Sequence, residues 1–318
     1  MPSPHASYRY RIHGLTIAGD LLLPELPPAR GSSPAIQVTR GGGNDPCEWF
    51  HRWREGRRTW LTMGRTAGGY RLRFPGLAEF EVSRDGRRIR YEPAPNVPAS
   101  TVRHLFLNQI IPLAFARAGR NVLHASAVHV PRFGAIAFAG RSGSGKSTLA
   151  AALSTLGCRI VTDDALVLGP EGKRDLLEPA YPELRLWRES ARALRATCDL
   201  RGRVAHYSPK ARLGPGVVSF HRRPSTLRAV FMLAPRHSDD SPVRASPLPA
   251  ATRLVALMRT AYVLDVDDRV ELTSLFAGLS ELVGQVAVRR LAVRDDRRGL
   301  QQIAAAVLDQ ARRVGRDA

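Results

Sequence analysis

Lys146 and Ser147 stand near the end of the stretch GRSGSGKST at residues 140–148. Gly140, Gly145, Lys146 and Ser147 fill the fixed places of the pattern G-x-x-x-x-G-K-[ST], whose chemistry is the holding of phosphate. Glycines let successive backbone N–H groups turn inward around an anion with no Cβ in the way. A helix that starts at the loop turns its positive end toward the same anion. The Lys146 ammonium can reach β- and γ-phosphates, and the Ser147 hydroxyl can hold Mg²⁺. Gly140, Ser142, Gly143, Ser144, Gly145, Lys146, Ser147 and Thr148 are the expected nucleotide-binding residues.

A second group lies about fifteen residues on. Asp163 and Asp164 follow the short apolar run at 158–162. Two adjacent carboxylates at a strand end can divide two tasks, one binding Mg²⁺ and the other accepting a proton from an attacking hydroxyl. A bare Asp-Asp pair is as often a solvated turn; its place just after a strand and soon after the loop helix favours function. His124 is the third candidate, in the run NVLHASAVHV at 121–130. On a single strand, His124, Ser126 and Val128 share one face and His129 takes the other. A lone His there is more often a hydrogen-bonded core residue.

These groups need elements to position them. The run at 134–139 reads as the buried strand that feeds the loop, and 147–156 as the helix that leaves it. Residues 8–12, 15–17, 36–39, 59–63, 70–74, 78–82 and 88–91 alternate as strands, several joined by Gly or Asp-Gly turns. Residues 1–98 thus form a small, mostly β module ending in the Pro-rich linker 92–98, and 99–318 form the catalytic domain. Trp49, Trp53 and Trp60 are expected in the module's core. A helix over 101–118 is capped by Ser100, kinked by Pro112 and ended by Gly119. Later come a strand at 165–168, helices at 187–196, 254–262, 272–283 and 300–312, and strands at 227–233 and 286–291. The stretches 206–212, with Lys210 and Arg212, and 234–249 read as loops.

Bulk composition narrows the class. The chain has 318 residues, 44% hydrophobic and 24% charged, as soluble globular proteins do. Its net charge is +20. Only Lys146, Lys173 and Lys210 are lysines, so 45 of the 48 basic residues are Arg. They are scattered, without the clusters and interleaved aromatics of a nucleic-acid surface, and fit an acidic peptide or protein partner better. Cys47, Cys158 and Cys198 form no C-x-x-C pair and suit a reducing cytoplasm. No signal peptide and no run of membrane-spanning length is visible.

Taken together, LHASAV at 123–128, GRSGSGKS at 140–147 and VTDD at 161–164 resemble the core of the bacterial HPr serine kinase/phosphorylase family. The opening YRIHGLTIAGD at 10–20 with LPEL at 23–26 is similar to the branch associated with lasso-peptide biosynthesis, whose members phosphorylate the C-terminal Ser of a precursor peptide. The resemblance covers about half the chain. It implies an α/β phosphate-loop kinase domain behind a small, mostly β N-terminal domain, with ATP and Mg²⁺ as cofactors and an oligomeric assembly. By position, Lys146 would bind the β- and γ-phosphates, Ser147 and Asp164 would hold Mg²⁺, Asp163 would be the general base, and His124 would lie beside the reacting phosphate. The family signature E-x-R-G-L-G is met here by PELRLW at 182–187, which keeps Glu183 and Arg185 but not the glycines. In the family that region governs the reverse, phosphorylase reaction. The expected activity is ATP-dependent transfer of a phosphoryl group to a Ser of a peptide or protein. The alternatives are an HPr-type kinase/phosphorylase, a kinase of a small hydroxylated metabolite, a regulatory protein that only binds ATP, and a nucleic-acid-dependent ATPase.

Overall fold

Period-two alternation early in the chain closes into one sheet. A computed structural model describes residues 7–31, 33–170, 172–194, 211–213, 218–296 and 299–314. The chain divides into two compact units, Met1–Gly119 and Arg120–Ala318. In the first, β1 (Tyr8–Ile12), β2 (Leu15–Gly19), β3 (Ile36–Arg40), β4 (Glu48–Glu55), β5 (Arg58–Thr66), β6 (Gly69–Phe74), β7 (Ala78–Ser83) and β8 (Arg88–Pro93) make one eight-stranded sheet. Its order is β1-β2-β3-β8-β7-β6-β5-β4. Consecutive strands from β4 to β8 pair antiparallel through tight turns, whereas β3 lies parallel to both β2 and β8. Inward residues such as Leu72, Phe74, Phe80 and Ile89 are almost wholly buried.

Edge strand β4 corrects one expectation. Trp49 and Trp53 are 38% and 55% exposed, so they are not core. The edge has no further strand to cover it, and Trp49 instead lies under the Arg73 guanidinium, 4.7 Å from its ring centre. Trp60 is half-buried and meets Phe74 edge to face. The expected single helix after the linker is also three pieces: α1 (Ala99–Leu105), a π-helical turn at Phe106–Ile110, and α2 (Ile111–Arg117). Pro112 has no N–H to return to the preceding turn, so it sits in the first turn of α2, where none is needed. Pro98, not Ser100, holds the N-cap place.

The second unit carries the motifs. Its elements are β9 (Val122–Leu123), β10 (Ala125–Val130), β11 (Gly134–Ala139), α3 (Lys146–Ser154), β12 (Arg159–Thr162), β13 (Leu166–Val167), β14 (Leu176–Leu177), β15 (Leu184–Leu186), α4 (Arg188–Ala193), β16 (Ala211–Leu213), β17 (Ser225–Leu233), β18 (Val243–Pro247), α5 (Ala250–Met258), α6 (Arg269–Gln285), β19 (Ala287–Val293) and α7 (Leu300–Val314). The main sheet runs β12-β10-β11-β17-β19-β18, with β11, β17 and β19 parallel. The alternation in β11 explains the layers. Ile136 and Phe138 join a core with α3 and α7, while Ala135, Ala137 and Ala139 join the core that holds α6 residues Leu275, Leu279 and Leu282. Helices therefore cover both faces, as in other mixed α/β folds. The buried residues of α7, Ile303, Ala304, Val307, Leu308 and Ala311, recur at helical period.

Three details differ from the sequence reading. The run 121–130 is two strands, since β9 pairs with β13 whereas β10 pairs with β11 and β12, and His124 stands at the break. The stretch 234–249 contains β18, an edge strand that tolerates Pro247 because one side of it needs no ladder bond. Within 206–212, Ala211 and Arg212 belong to β16 and residues 206–210 lie outside the described residues, as does the end of the expected helix 187–196.

Candidate functional site

The phosphate loop leaves the C-terminal end of β11 and enters α3. Gly145 caps α3 at φ 101°, and Gly143 lies at φ 80°, both in the left-handed region where a side chain would be strained. Lys146 is 5% exposed, and its Nζ donates to the carbonyls of Gly140 (2.9 Å) and Arg141 (3.0 Å). The ammonium therefore lies across its own loop. Ser144 Oγ is buried and has no hydrogen-bond partner among the described residues, so the loop presents an unsatisfied donor as well as its amides. Thr148 Oγ1 donates to Ser190 Oγ at 3.1 Å, which ties the start of α3 to α4.

The two acidic residues stand at the end of β12. Strand β10 lies between β12 and β11, so the carboxylates reach the loop across one intervening strand. Asp163 Oδ1 accepts from Ser147 Oγ at 2.7 Å and from Ser126 Oγ at 2.6 Å, and its Oδ2 accepts from the Arg185 backbone N–H at 3.1 Å. Strand β10, helix α3 and strand β15 thus all converge on one carboxylate. Two hydroxyls and a carboxylate form an all-oxygen set that suits a hard divalent cation such as Mg²⁺.

Asp164 differs from its neighbour. Its backbone is left-handed, at φ 67°, which is uncommon for a residue with a side chain. Its carboxylate pairs with the Arg185 guanidinium. Burial opposes the Arg185 charge, but the carboxylates of Asp164 and Asp163 and nearby Tyr181 hold its pKa above the ordinary arginine value. His124 Nδ1 donates to the Asp164 carbonyl at 3.1 Å. A carbonyl only accepts, so the proton is on Nδ1 and Nε2 is the acceptor of the neutral ring. Burial lowers the His124 pKa against the pull of Asp164, which keeps the ring neutral. Tyr262 meets His124 edge to face, and its phenol pKa is raised by burial.

A cavity of about 360 Å³ joins these parts. The loop from Ser142 to Thr148, His124, Asp164 and Arg185 all line it. Of the expected site residues, all but Gly140 and Asp163 face this cavity, and those two bond to Lys146 and Ser147, which do. Ser126, Tyr262 and Arg236 had no role in the sequence reading. For Ser126 there was a signal: a lone hydroxyl in a strand of Ala and Val is buried, and a buried polar group needs a partner. For Tyr262 and Arg236 there was none, because only the fold brings them close. Among the described residues no cluster of three His, Cys, Asp or Glu could hold a metal by itself.

No family model matches the chain, and no curated protein matches it in sequence. Among solved structures it is similar to the HPr(Ser) kinase/phosphatase from Coxiella burnetii. The identity is 12%, over 60% of this chain and 91% of that chain, with a TM-score of 0.33. No helix of the described residues is long and apolar enough to cross a membrane.

Proposed function

We propose that this chain is an ATP-dependent kinase that transfers the γ-phosphoryl group to a Ser hydroxyl of a peptide or protein. The observation that carries the reading is the 2.7 Å hydrogen bond from Ser147 to Asp163. It joins the phosphate loop to the acidic pair, two motifs that were recognised separately and that a phosphotransferase needs in one place. The loop amides and Lys146 would hold the phosphate tail of ATP. Ser147 and a carboxylate of the acidic pair would hold Mg²⁺, which when bound neutralises charge on the phosphates. The family resemblance gives the metal to Asp164 and the base to Asp163. The contacts favour a different division: Asp163 is the carboxylate already joined to Ser147, while Asp164 and the neutral His124 face the cavity.

In the reaction, the acceptor oxygen bonds to the γ-phosphorus as the bond to the β–γ bridging oxygen breaks. The acceptor proton passes to a carboxylate of the pair or to His124 Nε2, and ADP leaves. Positioning and charge neutralisation would supply most of the rate. A regulatory protein that merely binds ATP has no need of this proton-accepting side. The basic charge of the chain suits an acidic peptide, and the N-terminal resemblance points to a lasso precursor ending in Ser.

The test is the intact mass of such a Ser-ended precursor after incubation with the protein, ATP and Mg²⁺. Gain of one phosphate, absent with Lys146→Ala, is the expected result. Unchanged peptide mass alongside ATP hydrolysis or phosphorylation of a small alcohol would overturn the peptide acceptor.

A further inference from the structure

The cavity around the phosphate loop has two chemically different ends, and the sheet order separates them. On one side of β11, strands β10 and β12 bring the hydroxyls and carboxylates described above. On the other side, β17 ends in Leu233, β19 ends in Val293, and α7 begins with Leu300. All three line the same cavity. Each is only partly buried, although all pack against the core beneath α3 and α7. Trp187, 49% exposed at the start of α4, lines the cavity as well. Apolar surface thus faces solvent next to a loop built for anions.

We propose that Leu233, Val293 and Leu300 form the nucleoside subsite, so that the base lies toward β17, β19 and α7 and the acceptor approaches from the His124 and Asp164 side. The proposal rests on the reading of residues 140–148 as a loop that holds a triphosphate. Its direction follows from the Ser147–Asp163 bond. That bond sets the hard-oxygen donors, and hence the terminal phosphates with their Mg²⁺, on the β12 side. A linear triphosphate then runs its other end toward β17. There it meets aliphatic surface suited to a heteroaromatic ring. Arg236 stands at the junction. Its Nη1 donates to Asp295 Oδ1 at 2.6 Å, and its Nη2 lies 3.5 Å from where a Cβ on Gly145 would be. It can therefore meet the phosphate nearest the ribose.

Calorimetric titration of the full chain with MgATP and with magnesium tripolyphosphate tests this, because tripolyphosphate keeps the tail and lacks the nucleoside. ATP is expected to bind at least about tenfold more tightly. Leu300→Ser and Val293→Ser should each weaken ATP by about fivefold and leave tripolyphosphate unchanged. Both positions are partly exposed, and thermal melts by circular dichroism verify that the variants fold. If wild-type protein binds tripolyphosphate as tightly as ATP, or if the variants shift both ligands alike or shift neither, the nucleoside subsite is overturned while the phosphate loop stands. If wild-type protein binds neither ligand, the phosphate-loop reading falls and takes this proposal with it.

Discussion

Asp163 receives hydrogen bonds from Ser126, Ser147 and the Arg185 amide, and a substitution there reaches three elements at once. Asp163→Asn keeps the size and removes the charge. Given the Mg²⁺-holding role that its bond to Ser147 favours, phosphoryl transfer should fall by at least about 10-fold, and the loss should shrink as the Mg²⁺ concentration is raised. Equal transfer rates would remove Asp163 from the chemistry. Arg185 gives a contrasting prediction about stability. Its guanidinium is buried against Asp164, so Arg185→Met strands a carboxylate. Urea unfolding should show a loss of about 3 kcal/mol, largely restored by adding Asp164→Asn. The loop and the acidic pair were visible as candidates in the sequence, because each rests on residue type at short spacing, and His124 was one through the family resemblance. Arg236 was not, since nothing local distinguishes it among 45 arginines.

Among the elements, α6 offers the clearest local rules. The Asp268 side chain accepts from the N–H groups of Val270 and Glu271 and so caps its first turn. Asp268→Ala should cost about 1 kcal/mol, measured by chemical denaturation. Gly278, one turn after Leu275 on the same helix, faces Asn121, and a Cβ there would collide with the buried amide. Strands were legible wherever one face is buried: β5 to β8 and β11 show their alternation plainly. Strand β4 was not, because it lies at an edge with residues exposed on both faces, so no period survives. The π-helical turn was hidden for a different reason. Pro112 signals a break, but its form depends on what the helix packs against.

At the scale of the whole molecule, protons and the division into units matter. His129 and His221 stack at 4.0 Å, and burial lowers both pKa values, with Arg159 adding to the effect on each. A depressed histidine favours the folded state while both states are neutral. The unfolded chain takes up protons first, below about pH 6.5, so stability is full above that value and is lost as the pH falls through it. The urea midpoint should therefore be lower at pH 5.5 than at pH 7.5, and His221→Phe should lessen the difference. Among the described residues, those lining the cavity all belong to the second unit. Residues 120–318 produced alone should accordingly bind MgATP with the affinity of the full chain, as read by calorimetry. The helical stretch after the Pro-rich linker has its partners, such as His13 against Phe115, within the first unit.

The four tryptophans are unevenly shared: three stand before Gly119, and Trp187 alone follows it. Replacing Trp49, Trp53 and Trp60 with Phe would leave one indole in the chain, at the wall of the cavity. Its emission would then act as a built-in optical gauge of that cavity, shifting as water leaves the ring, and could time each filling and emptying in a stopped-flow cell with no label attached.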